Sequence, residues 1–101
     1  MRCKKDLIHH AVENVFKLNG YETIDTSTCH GVLLDFIANY FDKTGKLIEH
    51  WFIEVKTGNK KFSNFEKKFI NKNQLNSIVI RGVKEAMDFC YKKKLQRTLN
   101  K

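Results

Sequence analysis

Proline is absent from this chain of 101 residues, and glycine occurs only five times. Because both residues interrupt regular structure, we expect helices and strands joined by short turns. The three cysteines, Cys3, Cys29 and Cys90, are far apart and include no C-x-x-C pair, which argues against a disulfide framework and a structural zinc site. No apolar run approaches the roughly 20 residues of a membrane-spanning helix, and no hydrophobic region follows the basic N-terminus as in a signal peptide. These absences predict an intracellular protein with reduced thiols.

Acidic residues are scarce: 11 Asp and Glu stand against 19 Lys and Arg, which leaves a net charge of +8. So large a positive charge on a small body attracts polyanions and speeds encounters with them. Nucleic-acid binding is one interpretation of this surplus, and an ordinary lysine-rich surface is the other. The hydrophobic fraction of 42% is typical of a folded chain, and the length predicts a single domain over residues 1–101.

Hydrophobic periodicity and turn residues predict the order α-β-β-β-α-β-α. Three consecutive strands, a helical crossover and a fourth strand indicate an α/β fold with a mixed four-stranded sheet flanked by helices. Ser63 and Glu66 have the spacing of a capping box at a helix start, and the basic tail 92–101 is expected to fray. The predicted elements are a helix at 4–18, an edge-like strand followed by a polar loop within 21–29, strands at 32–40 and 47–56, a helix from Ser63, a strand at 77–81 and a last helix from Gly82.

Two features of the central strands break the apolar pattern. Asp35 lies between Leu34 and Phe36, where a carboxylate costs free energy unless it is paired, hydrogen-bonded or bound to a metal. Glu54 and Lys56 end the second apolar strand, and the two-residue period of a strand places them on one face. If the hairpin pairs symmetrically about its turn, Asp35 and Glu54 lie near the same end of the two strands.

Two carboxylates with a nearby backbone carbonyl form a hard oxygen site that suits Mg²⁺ or Mn²⁺. Such an ion lowers the pKa of a bound water and neutralises charge on a phosphate, and Lys56 can orient or deprotonate that water. Phosphodiester hydrolysis needs this combination. The alternative is a plain ion pair of Lys56 with Glu54 or Asp35 at a strand edge, because an isolated E-x-K triplet often arises by chance.

The first helix carries a polar ridge beside its apolar stripe. Asp6, His9 and Glu13 fall together on that flank, where they either look into a cleft or are simply solvated. His30 precedes a glycine near the predicted site, and His50 lies on the strand face of Glu54. For the histidines we favour packing or surface positions over catalysis or zinc binding.

The order of these motifs along the chain resembles that of a known family. Glu13 on the first helix is followed by Gly31 before Asp35, by the Glu54-Val55-Lys56 triplet, by Ser63-Asn64-Phe65-Glu66 and by Ile78-Val79-Ile80-Arg81-Gly82-Val83. In this the chain resembles the PD-(D/E)xK nuclease superfamily, and most of all stand-alone virus-type replication–repair nuclease (VRR-NUC) domains, which are related to Holliday junction resolvases. Leu34 stands where the superfamily often has Pro, and Glu66 replaces the usual Gln.

The resemblance implies a restriction-endonuclease-like fold and a Mg²⁺- or Mn²⁺-dependent deoxyribonuclease. It implies that Asp35, Glu54 and the Val55 carbonyl hold the ion and that Lys56 assists the attacking water. Glu13 and Glu66 are further catalytic candidates. Two alternatives stay open: a DNA-binding module of the same fold without catalysis, and a small protein-interaction domain whose basic face meets an acidic partner.

Branched DNA, such as a Holliday junction, is the partner that the resemblance implies, together with a homodimer. Tyr21, Tyr40 and Phe41 are candidates for the dimer interface, although core packing is the more common fate of such residues. Lysines position a phosphate backbone without reading base sequence. The candidate phosphate contacts are Lys4, Lys5, Lys60, Lys61, Lys67, Lys68, Lys92, Lys93 and Lys94.

Overall fold

The structure, a computed structural model, describes residues 7–27, 34–57 and 61–100. They form seven elements in the predicted order. No helix in these ranges is long and apolar enough to cross a bilayer. The elements are α1 (Leu7–Leu18), β1 (Glu22–Asp25), β2 (Phe36–Phe41), β3 (Leu47–Val55), α2 (Asn64–Lys72), β4 (Ser77–Ile80) and α3 (Val83–Leu99).

The four strands form one mixed sheet, as predicted, and their order in it is β1-β2-β3-β4. The first three strands are antiparallel, whereas β4 runs parallel to β3 after the α2 crossover. Asp42 organises the β2–β3 turn, since its Oδ1 accepts hydrogen bonds from the amides of Thr44 and Lys46. Gly45 adopts a φ of 86° there, a conformation that favours glycine. Phe36 therefore pairs with Ile53, and the start of β2 lies beside the end of β3.

The core lies between one face of the sheet and the helices α1 and α3. Alternate residues of β2 and β3 point into it, as the period of two requires. Helix α2 covers the other face, where the Phe69 ring packs edge-on against Phe52 at 5.0 Å between centroids. The buried core residues are Val12, Phe16, Tyr21, Phe36, Ala38, Ile53, Ile80, Ala86 and Cys90. Burial of each large apolar side chain contributes about 1.5–3 kcal/mol.

Two segments differ from the sequence prediction. Strand β2 covers Phe36–Phe41, so Leu34 and Asp35, which the prediction included in it, lie before the strand, and the Asp35 side chain binds the backbone amide of Val55. Residues 32 and 33 lie outside the described ranges. The tail that was expected to fray is helical through Leu99, so that prediction is wrong. The Arg97 guanidinium holds this last turn by an ion pair with Glu49 and by lying 3.8 Å from the centre of the Tyr40 ring.

Cys90 is a free, buried thiol on the inner side of α3. Burial raises its pKa to about 11, which keeps the sulfur protonated and unreactive at neutral pH. Cys3 and Cys29 lie outside the described residues. The thiol that the structure describes is therefore a core residue.

Candidate active site

Asp35 is fixed to the end of β3 by two backbone contacts. Its own amide donates to the Ile53 carbonyl at 3.0 Å, and its Oδ2 accepts from the Val55 amide at 2.8 Å. Burial raises the pKa of the Asp35 carboxyl, while the Val55 hydrogen bond and the charge of His9 partly oppose that rise. Asp35, whose charge is energetically costly in an apolar stretch, is thus hydrogen-bonded at the edge of the core.

Glu54 and Lys56 project from the same face of β3, as their spacing predicts. The Lys56 Nζ lies 3.5 Å from Glu54 Oε2 and 2.8 Å from Glu66 Oε1. Burial alone would lower the pKa of Lys56, but the hydrogen bond to Glu66 and the charges of both glutamates raise it overall. Lys56 is therefore a fixed cation inside a cluster of carboxyl groups.

Glu54 is the most deeply buried acid of this cluster, with 4% of its surface exposed. Burial, a hydrogen bond with Glu66 and the nearby charge of Asp35 raise its pKa to about 9. At neutral pH the Glu54 carboxyl is consequently protonated and donates to Glu66. The hydrogen bonds from Glu54 and Lys56 outweigh burial at Glu66, and the pKa of that carboxyl is lowered.

Glu66 reaches the site because of how α2 begins. Ser63 is the N-cap, and its Oγ accepts from the Glu66 amide at 3.1 Å. In return Glu66 Oε1 accepts from the Ser63 amide at 2.8 Å, which completes the predicted capping box. The same Oε1 also meets Lys56, and the Phe62 ring lies 5.6 Å from the Lys56 ammonium. Glu66 therefore belongs both to the N-terminal cap of α2 and to the candidate site.

The structure places Glu13 beside β1 and not against Lys56. Its Oε2 accepts from Thr23 Oγ1 at 2.8 Å and lies 3.8 Å from Lys17 Nζ, and its Oε1 lies 3.6 Å from His9 Nε2. His9 is buried against the Phe36 ring, and its charge acts on the Asp35 carboxyl. His9 and Glu13 of the predicted polar ridge are thus buried, and His9 connects them to the site. Asp6 lies outside the described residues.

The remaining histidines and lysines divide into three groups. His50 Nδ1 is hydrogen-bonded to Asn39 Oδ1 of the neighbouring strand at 2.6 Å. His30 and Gly31 lie outside the described residues. Lys93 was predicted to be a phosphate contact, but its ammonium lies 4.6 Å from the Trp51 ring centre, against the core. Lys61, Lys67, Lys68, Lys92 and Lys94 are exposed, and Lys4, Lys5 and Lys60 lie outside the described residues.

A second, partly buried polar cluster, at the opposite end of the sheet, was missed by sequence reasoning. Glu49 accepts from the Tyr21 hydroxyl at 2.6 Å and from Trp51 Nε1 at 3.0 Å, and it pairs with Arg97. These hydrogen bonds outweigh burial and lower the pKa of Glu49, whereas burial and Glu49 raise that of Tyr21. The two-residue period of a strand could have identified Glu49 as an inward-facing acid, because Glu49 shares the inner face of β3 with Trp51 and Ile53.

Carboxyl oxygens, which Asp35 and Glu54 both carry, are the donor type that a hard divalent cation prefers. The Val55 amide faces β2, and in an extended strand the carbonyl of the same residue points to the same side. Burial is the main cause of the raised pKa of Glu54, and positive charge at this place would offset the smaller contribution of the neighbouring carboxyl groups. Across the described ranges, no three His, Cys, Asp or Glu side chains are arranged to hold a metal ion together. An ion here would therefore need backbone or water oxygens beside the carboxylates.

Comparison of the chain with protein-family models, with curated proteins and with solved structures finds no match.

Proposed function

We propose that this chain is a metal-dependent endonuclease that hydrolyses phosphodiester bonds of DNA. One observation carries the proposal: a lysine and carboxyl groups from three separate segments converge at one end of the sheet. Lys56 lies between Glu54 and Glu66, at 3.5 and 2.8 Å, and the Val55 amide ties Asp35 to the same strand end. This set combines oxygen donors with a fixed cation beside them, which phosphodiester hydrolysis requires.

The residues of the site have separate roles in this proposal. Asp35, Glu54 and the Val55 carbonyl would hold Mg²⁺ or Mn²⁺, which supplies Lewis acidity at the phosphate when bound. Glu54 must first lose the proton that its pKa of about 9 retains at neutral pH. Lys56 orients the attacking water or stabilises charge that develops on the phosphate. Glu66 positions Lys56 and keeps it charged.

A branched DNA substrate and a restriction-endonuclease-like fold belong to the same proposal. Exposed Lys67 and Lys68 lie on α2 directly after Glu66, and their positive charge near the site would attract the phosphate backbone. Phosphate contacts position a backbone without reading bases. Selection by DNA shape, as at a four-way junction, therefore suits the chain better than selection by sequence. The resemblance to VRR-NUC domains supports the same substrate.

Cleavage of a synthetic four-way junction tests the proposal, with linear duplex and single strands as comparison substrates in Mg²⁺ and in Mn²⁺. We expect cleavage by the wild-type chain and a loss of at least about 100-fold for Asp35→Asn and Lys56→Met. Glu22→Gln and Lys43→Met are matched controls, because both residues are exposed and lie outside the cluster. Absence of cleavage with every substrate and ion, or full activity of Asp35→Asn, would overturn the proposal.

A DNA-binding module without catalysis is the second candidate, and one observation favours it. Glu54, Lys56 and Glu66 already satisfy one another by hydrogen bonds and ion pairs, as a purely structural network would. Calorimetric titration with Mn²⁺ separates the candidates. A nuclease site binds the ion and loses that binding in Glu54→Ala, whereas the binding module shows salt-sensitive affinity for DNA and no response to Mn²⁺.

A further inference from the structure

Phe62 is an aromatic residue beside the candidate site. It directly precedes Ser63, the N-cap of α2, and it lies between exposed Lys61 and exposed Ser63. The Lys56 ammonium lies over the Phe62 ring, 5.6 Å from its centre. Phe62 is only partly buried, and in the described ranges it is neither a core residue nor one of the hydrophobic residues packed against the core. The ring therefore belongs to the site and not to the core.

The start of α2 does not require an aromatic side chain at position 62. A hydrophobic residue before an N-cap commonly packs on the fourth residue of the helix, which in α2 is Lys67, an exposed residue. The capping box of Ser63 and Glu66 already satisfies the helix start. Within the described ranges the Phe62 ring meets one cation, Lys56, and no other aromatic ring. The ring is therefore available to contact what Lys56 binds.

Lys56 determines what the Phe62 ring can reach. In the proposed function this ammonium contacts the scissile phosphate, and a charged hydrogen bond to a phosphate oxygen spans about 2.8 Å. That oxygen would lie within about 8.5 Å of the centre of the Phe62 ring. Because one sugar joins a phosphate to its nucleobase, a base next to the scissile bond lies within reach of the ring.

An aromatic ring at this place distinguishes unpaired from paired nucleotides. Base–aromatic stacking is favourable and tolerant of sequence, since every base has a π-face. In a duplex both faces of a base are covered by its neighbours, and uncovering one costs unstacking free energy, which is least for a base that is already unpaired. Exposed Lys61 beside the ring supplies the positive charge that accompanies stacking aromatics on surfaces that bind single strands.

We propose that Phe62 stacks on an unpaired nucleobase next to the scissile phosphate and thereby holds that phosphate against Lys56. The inference rests on the proposed nuclease function and adds to it the residue that selects the bond to be cut. Phe62 is a substrate-binding residue that favours a phosphodiester beside an unpaired nucleotide over the same bond in continuous duplex. The lysines around the site attract any phosphate backbone, whereas the ring responds to whether a base is paired.

Fluorescence of 2-aminopurine tests the stacking without cleavage, because the emission of this base falls when it stacks. The base is placed in turn at each unpaired position of a branched DNA, and at the same positions of a continuous duplex, with EDTA present so that neither DNA is cut. We expect saturating wild-type chain to quench the emission of an unpaired base and to leave that of the paired base unchanged.

Phe62→Leu should abolish this quenching, whereas Phe62→Trp should retain it because the ring is kept. Phe41→Leu is the matched control, since Phe41 is a partly exposed aromatic residue at the opposite end of the β2–β3 hairpin. Quenching that persists in Phe62→Leu, or its absence with the wild-type chain, would overturn the proposal.

Cleavage of the same two DNAs in Mn²⁺ separates stacking from an effect of the ring on Lys56. We expect Phe62→Leu to lose about 5- to 100-fold in kcat/KM for the branched DNA and to cut the duplex at the wild-type rate, while Phe62→Trp keeps the preference. An equal loss on both DNAs would show that the ring acts only through Lys56, and would overturn the proposal. If the wild-type chain cuts neither DNA, the nuclease function fails, and the quenching alone decides whether Phe62 binds a base.

Discussion

The backbone amide of Val55 donates a 2.8 Å hydrogen bond to Oδ2 of Asp35. This bond joins the residue before β2 to the last residue of β3, and it explains how a carboxylate is tolerated in an apolar stretch. Charged acceptors make stronger hydrogen bonds than neutral ones. The Asp35 carboxylate therefore links the adjacent ends of the two central strands and stays next to Glu54 and Lys56.

The two roles of Asp35 can be separated by substitution. Asp35→Asn keeps an oxygen that can accept from the Val55 amide, so we expect its unfolding free energy to stay within about 1 kcal/mol of wild type. Asp35→Leu leaves that amide without its acceptor and should lose roughly 1–3 kcal/mol. Both variants should lose cleavage, because neither retains the negative charge. Urea unfolding measures the first effect and junction cleavage the second. Equal stability of the two variants would contradict the structural role.

The hairpin part of the candidate site was predictable because it depends on local rules. The period of a strand places Glu54 with Lys56, and a short turn places Asp35 near both. The Ser63-x-x-Glu66 spacing likewise predicted the helix start that delivers Glu66. No sequence rule gave the contact of Glu66 with Lys56, because it depends on how far the α2 crossover carries the chain.

Long-range pairing explains what the sequence did not reveal. Glu49 and Arg97 are separated by 48 positions. Each residue alone is of a type that is common on protein surfaces. Glu13 was placed correctly on the flank of α1, but the partner across that flank is Thr23 of β1. Periodicity gives the face on which a side chain lies, whereas packing between elements decides which residue it meets.

Glu54 makes stability depend on pH in the direction opposite to an ordinary acid. Its pKa rises from 4.5 to about 9 on folding, so between these values the folded chain holds a proton that the unfolded chain has released. The free energy of unfolding should therefore fall as the pH rises through this window. Glu54→Gln donates the same hydrogen bond to Glu66 without titrating. At pH 8.5 we expect it to exceed wild type by roughly 1–3 kcal/mol, measured by urea unfolding against Glu22→Gln as control.

Binding of Mn²⁺ should release a proton from the site. The Glu54 carboxyl is protonated at neutral pH, and it must ionise to hold a cation. Affinity for Mn²⁺ should therefore rise up to about tenfold per pH unit between pH 6 and 8.5. Calorimetry in buffers of different ionisation enthalpy counts the protons directly. An affinity that is independent of pH would show that Glu54 is not a ligand.

Glu66 has a capping role and a site role that two substitutions distinguish. Glu66→Gln keeps an oxygen for the Ser63 amide but removes the charge that holds Lys56. Glu66→Ala removes both, and loss of its hydrogen bond with the Ser63 amide alone should cost about 1 kcal/mol. We expect Glu66→Gln to lower the pKa of Lys56 and to shift the pH profile of cleavage while the helix content, followed by circular dichroism, stays unchanged. Identical effects of the two variants would contradict this division.

The pair of Glu49 with Arg97 should stabilise the end of the sheet that is remote from the candidate site. Glu49→Gln leaves a half-buried guanidinium without its counter-charge, and we expect a loss of roughly 2–4 kcal/mol at neutral pH. The folded pKa of Glu49 is lowered, so its contribution is present above its ordinary pKa of 4.5 and is lost as the pH falls through the lower value. The difference between the variant and wild type should consequently shrink at acid pH.

The double substitution Glu49→Gln with Arg97→Met removes both charges and should recover part of the stability that Glu49→Gln loses. Affinity for Mn²⁺ provides the internal control, because Asp35 and Glu54 lie at the other end of β3 and share no contact with this pair. A loss of Mn²⁺ binding in folded Glu49→Gln would mean that the two ends of the sheet are coupled, and the buried pair would then have a functional as well as a structural role.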